Sequence, residues 1–331
     1  MEVRKLQTTA AGTFIVTIPK GWAEKLKLKK GDLVSIELEE NDIVMSPTKP
    51  RVGIQSRSLE MDQFRDQRLL ELCITASYIQ GHDITEVISK DKMVPDRKKW
   101  IRQAVESLIG VEIAEDYANQ VVLQNLVDPS KFDLDKLLDR FSTTSKAVFQ
   151  DAIRALVEKD QALAQDAFER GEESTRLYRL LMRLALQAAG DKKLRAQMNL
   201  TNISSVIVKI IAIRELGRIA YYAMRIAEHV GELDKGLKDD MTTTIQKMMK
   251  ATVEMQEQAT LALLNRDLAS ASSIIDRMAQ VRKLYELAHS MIMKVDSEKA
   301  ALTLSLIIRD IRAIAGYAVA LADDAVLGVF A

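Results

Sequence analysis

The sequence has one cysteine and no excess of either charge. Cys73 can form neither an internal disulfide nor a cysteine metal cluster, which favours a reducing compartment. Lysine plus arginine and aspartate plus glutamate both number 47, so the global charge points to neither a nucleic acid nor a membrane. No uncharged apolar run of about 18 residues occurs, and the N-terminus lacks the apolar part of a signal peptide. These absences predict a cytoplasmic protein without membrane insertion.

The motifs of common enzymes are also missing. No P-loop, dinucleotide glycine fingerprint, histidine-rich metal motif or nucleophile elbow occurs. His82 could be a ligand or a base, but a lone histidine at a helix end is more typical of a cap or surface residue. Cys73 lies among leucines and better fits a buried, inert thiol than a nucleophile. We therefore expect no enzyme, no catalytic residue and no cofactor.

Proline is confined to one part of the chain. All five prolines lie in the first 129 residues, and the rest of the sequence has none. That remainder is rich in alanine, leucine, methionine, lysine and glutamate, which favour helices. The pattern predicts long, uninterrupted helices there.

Two stretches of this proline-free half repeat each other. Residues 213–228 read IRELGRIAYYAMRIAE, and 95 positions later 308–323 read IRDIRAIAGYAVALAD, with seven of sixteen positions identical. Two shorter matches lie upstream at an offset of 107: 155–160 with 262–267, and 176–178 with 283–285. The offset falls by 12, which fits a longer connection near 190–200 in the first copy. The sequence therefore predicts a duplicated three-helix unit.

Each copy is predicted to form a three-helix bundle. Copy one covers 129–233 and copy two 234–331, with helices predicted at 133–159, 161–189 and 200–230, then at 237–266, 268–294 and 297–330. Asp160 is a plausible cap between the first two helices. Seven methionines crowd copy two and are interpreted as core filler or, alternatively, as an adaptable partner-binding face: Met241, Met248, Met249, Met255, Met278, Met291 and Met293.

The first 48 residues have a different pattern, in which short β-prone runs flank one short helix. Strands are predicted at 3–7, 13–18, 33–38 and 43–45, with a helix at 20–28. Such a piece buries too little surface to be stable alone, so it should pair with its own copy or lean on the rest of the chain. Residues 1–31 carry a net charge of +5. The basic face could contact the phosphates of a DNA duplex. Alternatively, Lys25 to Lys30 could be a solvated helix end whose lysines complement the helix dipole.

This region closely resembles the AbrB/SpoVT-like, MazE-type swapped-hairpin domain. The resemblance rests on RKLQTTAAGTFIVTIPKGWAEKLKLKKGDLVSIELEENDIVMSP, with its Arg-Lys start, glycine turn, Val-Thr-Ile-Pro-Lys core and Lys-Gly-Asp turn. It implies a homodimeric DNA-binding and dimerisation domain over 1–48. Thr13 and Glu24 depart from basic positions of the family. The predicted DNA-binding residues are Arg4, Lys5, Lys20, Lys25 and Lys27.

The chain between these parts is predicted to hold a linker at 49–58 and a small α/β connecting segment at 59–128. The proline-containing linker has little periodicity. The connecting segment is expected to contain helices at 59–79 and 96–109 and strands at 84–89, 111–113 and 121–126.

The duplicated half resembles the PhoU family over about residues 130–331, and the whole chain resembles an archaeal type of PhoU-related regulator with an AbrB-like domain. PhoU proteins carry Leu-Glu-Arg-Ile-Gly-Asp on the third helix, where paired carboxylates join metal clusters. This chain has Gly217 and Tyr221 at the acidic positions of copy one, and Arg312 and Gly316 in copy two. The surviving carboxylates are interpreted as surface or ion-paired residues, so no metal is expected: Glu215, Glu228, Asp310 and Asp323.

The expected fold is therefore mainly α and multidomain, with a β-rich swapped-hairpin module, an α/β segment and two tandem three-helix bundles. The expected function is a homodimeric transcriptional regulator of phosphate uptake that binds DNA and senses a ligand or partner through its bundles. The alternative is a PhoU-like interaction protein that regulates a phosphate ABC transporter ATPase, or another signalling protein, without binding DNA.

Overall fold

The computed structural model describes residues 2–39, 42–47, 54–233 and 237–331. The chain divides into two compact units, Met1–Ile54 and Gln55–Ala331, called here the N-terminal unit and the main unit. Residues 49–53 of the predicted linker lie outside the described residues, as do residue 48 at the end of the predicted N-terminal domain and 234–236 at the predicted boundary between the two copies.

In the ranges that the structure describes, the N-terminal unit forms two hairpins and one short helix. β1 (Gln7–Thr8) pairs antiparallel with β2 (Phe14–Ile15), and α1 (Lys20–Lys25) follows Pro19. β3 (Val34–Glu39) then pairs antiparallel with β4 (Asp42–Pro47). The predicted order of elements is confirmed, although the first two strands are shorter than predicted, at two residues each.

The described residues of the N-terminal unit form no core of their own. None of its residues whose exposure the structure describes is buried. Ile36 and Leu38 lie on one face of β3, and Ile43 lies opposite Leu38 on β4, so the hairpin presents an apolar face to solvent. Other large apolar side chains are exposed as well: Val3, Leu6, Phe14, Ile15, Val16, Ile18, Trp22, Leu26 and Leu33.

The main unit begins with a small α/β segment. Its elements are β5 (Ser56–Glu60), α2 (Gln67–Ile79), β6 (Ile84–Ile88), α3 (Pro95–Glu106), β7 (Val111–Asp116) and β8 (Gln120–Asn125). The sheet has the order β5-β6-β8-β7, with β5 parallel to β6 and the other pairs antiparallel. Leu70, Ile74, Ile101 and Leu123 lie in its core. This confirms the α/β class predicted for the segment.

The start of this segment differs from the prediction. The helix predicted from residue 59 begins only at Gln67, where the Asp66 carboxylate accepts a hydrogen bond from Leu69 N. Ser56–Glu60 instead forms β5, which includes the last three residues of the predicted linker. This edge strand is stabilised by pairing with the distant β6, which local sequence patterns cannot reveal. Cys73, interpreted as buried, is only partly buried at the side of this core.

The described residues of the rest of the main unit form seven α-helices. Copy one contains α4 (Leu134–Glu158), α5 (Gln161–Gly190), the short α6 (Lys192–Gln197) and α7 (Ile203–Gly231). Copy two contains α8 (Asp239–Asn265), α9 (Leu268–Ile292) and α10 (Glu298–Val329). α6 lies in the longer connection that the change of repeat offset predicted. The duplicated three-helix unit is confirmed.

The connection between the first and second helices of the bundle has the same structure in both copies. Lys159 and Arg266 end α4 and α8 in the left-handed conformation, with φ of 60° and 55°. The next residue, Asp160 or Asp267, then caps the following helix by accepting hydrogen bonds from its first amides. The predicted capping role of Asp160 is confirmed.

The two bundles share one continuous core, to which the apolar stripe of α7 contributes Ile213, Leu216 and Ile219. Met241, Met248 and Met255 are buried in it, and Met249, Met278 and Met291 pack against it. Met293 is 76% exposed, so its interpretation as core filler was wrong; it follows the last turn of α9. No helix in the described ranges is long and apolar enough to cross a membrane.

Candidate functional site

The predicted DNA-binding residues are all exposed on the N-terminal unit. Lys25 lies in the last turn of α1, and Lys27 follows it with φ of 54°. Arg4 forms an ion pair with Glu2 at 2.6 Å, and Lys20 forms one with Glu24 at 3.7 Å. Lys5, Lys25 and Lys27 form no ion pair within the described part of the chain and are free to meet a phosphate backbone.

A second site of interest is the crossing of the third helices of the two copies. Tyr222 of α7 stacks on Tyr317 of α10, with ring centroids 5.8 Å apart and planes 25° apart. These tyrosines are equivalent positions of the repeat. His229 lies beside Asp310, and Asp324 interacts electrostatically with Glu215, so residues seven positions after one tyrosine lie near residues seven positions before the other. α7 and α10 therefore cross antiparallel, and this reciprocal pairing corresponds to a local twofold axis between the two tyrosines.

One end of this crossing holds a histidine and a carboxylate. Asp310 is fully buried, and its Oδ2 lies 3.6 Å from Nε2 of the buried His229. The Asp310 Oδ1 accepts a hydrogen bond from Nε of the neighbouring Arg309 at 2.8 Å. Asp310 was interpreted as a surface or ion-paired residue: the ion pair is present, but the surface position was wrong because α7 covers it.

The other end holds two carboxylates in place of a histidine and a carboxylate. Glu215 and Asp324 each have one buried oxygen without a hydrogen-bond partner among the described residues. Burial raises the pKa of Glu215 against the attraction of Arg214 and Arg218. Burial, together with the nearby negative charges of Glu215 and Asp323, raises the pKa of Asp324 to about 7. Sequence reasoning missed Asp324, although the repeat places it at the position of His229.

The acidic positions of the PhoU-type motif do not fit a metal cluster in this chain. Gly217, Tyr221, Arg312 and Gly316 offer no carboxylate, and Glu215 with Asp324 supplies only two. Within the described ranges, no group of three or more histidine, cysteine, aspartate or glutamate residues is arranged to hold a metal ion. A cation needs several convergent oxygen, nitrogen or sulfur ligands, so the donor set is insufficient.

A pocket of about 240 Å³ lies at these positions in copy one, between α4, α5 and α7. Its lining includes Phe141 of α4, Tyr178 of α5, and Arg214, Gly217, Arg218 and Tyr221 of α7. No carboxylate lines it, so its formal charge is positive.

A buried arginine joins the first bundle to the α/β segment. Arg183 of α5 is fully buried and donates to the carbonyl oxygens of Tyr78, Gly81 and His82, at 2.5, 3.3 and 3.1 Å. The Tyr78 carbonyl lies in the last turn of α2, and those of Gly81 and His82 lie just after it, where a positive charge complements the helix dipole. The guanidinium also lies 5.0 Å from the centroid of the Tyr78 ring. Arg183 therefore fixes the segment to the bundle.

The fold defines a class of protein built from two tandem three-helix copies with a common core. The model of the PhoU domain matches residues 138–230 and 245–325, which is more than half of the chain, and the protein belongs to this family. Residues 7–52 match the model described as antidote-toxin recognition MazE, bacterial antitoxin. The families matched are regulatory rather than catalytic.

Solved structures show the same helical fold. PhoU from Pseudomonas aeruginosa superposes with a TM-score of 0.54 at 17% identity, covering 60% of this chain and 96% of that chain. The phosphate transport system regulatory protein PhoU from Streptococcus pneumoniae gives a TM-score of 0.50 at 18% identity, covering 58% of this chain and 91% of that one. The search of curated proteins found no significant match.

Proposed function

We propose that this protein is a homodimeric transcriptional regulator of phosphate uptake. The N-terminal unit would bind DNA in the cytoplasm, and the PhoU-like bundles would sense a ligand or a partner. The observation that carries the proposal is the open apolar face of an exposed, basic N-terminal unit in a chain of the PhoU family.

Dimerisation is supported by the lack of a core in the N-terminal unit. Leu38 is 78% exposed and Ile43 is 69% exposed on the same face of the β3–β4 hairpin. Each large aliphatic side chain gains about 1.5–3 kcal/mol on full burial, so pairing two such faces would give a small unit the core that it lacks. The basic residues would then be doubled in one particle, which increases the attraction to a duplex.

Signal transmission is supported by the path of the chain. The N-terminal unit ends at Ile54, and β5 of the α/β segment begins two residues later. Arg183 fixes the same segment to α5 of the first bundle. A ligand or partner that favoured one packing of the bundle would bias the segment from which the DNA-binding unit extends.

A mobility-shift series at increasing salt tests DNA binding. The logarithm of the association constant should fall linearly with the logarithm of salt concentration, with a slope of about −0.9 per neutralised phosphate. Lys25→Ala should weaken binding to all sequences and reduce this slope by about one per subunit. Lys247→Ala, an exposed lysine of α8, is the matched control. Absence of any shift of the protein's own promoter region at low salt would contradict the proposal.

A second function is favoured by the ion pairs that neutralise Arg4 and Lys20. They reduce the charge available to DNA, so the N-terminal unit could serve only for dimerisation while the bundles regulate a phosphate transporter ATPase. Under this alternative, a Lys25→Ala, Lys27→Ala variant of the full chain would still retain the ATPase subunit in a pull-down and still regulate uptake. Loss of regulation with retained ATPase binding would favour the DNA-binding function.

A further inference from the structure

The pocket of copy one is positive where related proteins are expected to hold acidic residues. Arg214 and Arg218 lie one turn apart on α7, and both line the pocket. Among the described residues, neither guanidinium lies within ion-pair distance of a carboxylate; the nearby Glu215 attracts both of them but does not line the pocket. Like charges four residues apart on a helix repel each other and destabilise it. An anion held between them would remove this repulsion.

The inner wall of the pocket is apolar and aromatic. Phe141 is fully buried beneath it, and the Tyr178 ring lies beside Phe141 with centroids 6.3 Å apart. Met224 and the Tyr221 ring complete this wall. An inorganic ion would contact the arginines but leave this apolar wall exposed to water, whereas a ligand with an organic group would bury the wall. The volume of about 240 Å³ restricts the ligand to a small molecule.

Two glycines keep this space open. A Cβ on Gly217 would lie 2.7 Å from a ring carbon of Tyr178, and a Cβ on Gly171 would lie 2.8 Å from Cβ of Met224. Any larger residue at these positions would displace the pocket wall. The glycines are therefore required for the close approach of α5 and α7 around the pocket.

Copy two provides an internal comparison because long side chains replace both glycines. Arg312 is the repeat equivalent of Gly217, and Met278 is the equivalent of Gly171. The Arg312 guanidinium lies 4.9 Å from the ring centroid of Tyr285, the equivalent of Tyr178. Met278 packs against the core. In copy two, the Arg312 guanidinium therefore covers the face of Tyr285. In copy one, Gly217 provides no side chain to cover Tyr178 in this way.

We propose that the copy-one pocket binds a small organic oxyanion, with its phosphate or carboxylate between Arg214 and Arg218 and its apolar or planar body against Tyr178 and Phe141. The inference names the class of ligand that the bundle would sense, so it rests on the sensing role given to the bundle under the proposed function. The binding itself requires no DNA, so binding measured on the full chain alone separates failure of this inference from failure of DNA binding.

Isothermal titration calorimetry at constant ionic strength tests the inference with three probes: inorganic phosphate, adenosine monophosphate and adenosine. The monophosphate should bind saturably and more tightly than inorganic phosphate, and adenosine should bind much more weakly. An Arg214→Gln, Arg218→Gln variant should weaken binding at least about tenfold, because it removes both charged hydrogen-bond donors to the anion. The exposed positions of both arginines favour normal folding of this variant.

An Arg140→Gln, Arg282→Gln variant removes the same charge from exposed positions outside the pocket and should bind as the unmodified protein does. Gly217→Arg, which copies the residue of copy two, should abolish binding, with circular dichroism to establish its folding. Three results would overturn the inference: no saturable binding of the monophosphate, equal affinity for inorganic phosphate, or an equal loss in both double-arginine variants.

Discussion

The N-terminal unit and the main unit achieve stability by different means. The N-terminal unit exposes apolar residues on both hairpins and on α1, and no residue described within it is buried. The main unit buries apolar residues in two clusters, one of which extends through both bundles. The first should therefore depend on protein concentration through pairing, whereas the second should fold within one chain.

The largest effect is expected on dimerisation, from a substitution on the apolar face of the β3–β4 hairpin. Leu38→Asp places a charge in the expected interface of each subunit, so dimerisation should weaken by at least about a hundredfold, as for a central interface residue. Analytical ultracentrifugation over a range of protein concentrations measures the dimer dissociation constant. Leu302→Asp, on a leucine of α10 that is 64% exposed, is the control and should leave the dimer intact. A Leu38→Asp protein that stays dimeric would show that subunits associate elsewhere.

The next effect concerns the main unit alone. Arg183→Met removes the donor to three carbonyl oxygens at the end of α2, so the free energy of unfolding should fall by about 3 kcal/mol at every protein concentration. Chemical denaturation followed by circular dichroism measures this change. Arg176→Met, at an exposed position of the same helix, should change stability by less than about 0.5 kcal/mol. Equal effects of the two substitutions would contradict a fixing role for Arg183.

A smaller effect depends on pH. The folded pKa of Asp324, about 7, lies above its ordinary value of 3.8, so between these values the folded state binds more protons than the unfolded state. Stability should therefore fall as pH rises through this window, with the penalty absent below about 3.8 and complete above about 7. At about 1.4 kcal/mol per pKa unit, the upper limit of this penalty is roughly 4 kcal/mol.

Asp324→Asn removes this penalty and should flatten the pH dependence, so the variant gains stability relative to the unmodified protein most clearly above neutral pH. Thermal unfolding at a series of pH values measures the difference. Asp323→Asn, at the exposed neighbouring carboxylate, should change the curve much less. Parallel curves for Asp324→Asn and the unmodified protein would mean that Asp324 carries no such penalty.

The smallest effect tests the equivalence of the two bundles. Asp160→Ala and Asp267→Ala each remove a carboxylate that caps a second helix, and each should lower the free energy of unfolding by about 1 kcal/mol. Chemical denaturation of both variants gives the comparison. Clearly unequal losses would indicate that the two turns, although alike in geometry, contribute differently to the common core.

Local signals predicted much of this architecture. The three-helix repeat, the Asp160 cap and the order of elements in the N-terminal unit depend on periodicity and turn residues that lie close together in sequence. β5 was missed because its partner β6 lies almost thirty residues away and its own sequence is mostly polar. The burial of Asp310 and the role of Asp324 were missed for a related reason: both result from the crossing of α7 and α10, and single-helix periodicity does not contain this crossing.

The candidate site could be predicted only in part. The sequence identified the positions where acidic residues are replaced, including Gly217 and Tyr221, but it did not show that Arg214 and Arg218 border a pocket there. The pocket depends on how closely Tyr178 approaches Gly217, a distance set by the packing of α5 on α7. The basic residues of the N-terminal unit were identified as candidates, and their contact with DNA remains a prediction.

The local twofold axis between Tyr222 and Tyr317 has an evolutionary consequence. Two identical subunits related by such an axis must change together, because one gene encodes both halves. Covalent fusion of the halves removes this constraint, so glycine at 217 and arginine at 312 can coexist in one molecule. A tandem protein can thus keep one half as a rigid support while the other acquires a recognition surface of its own.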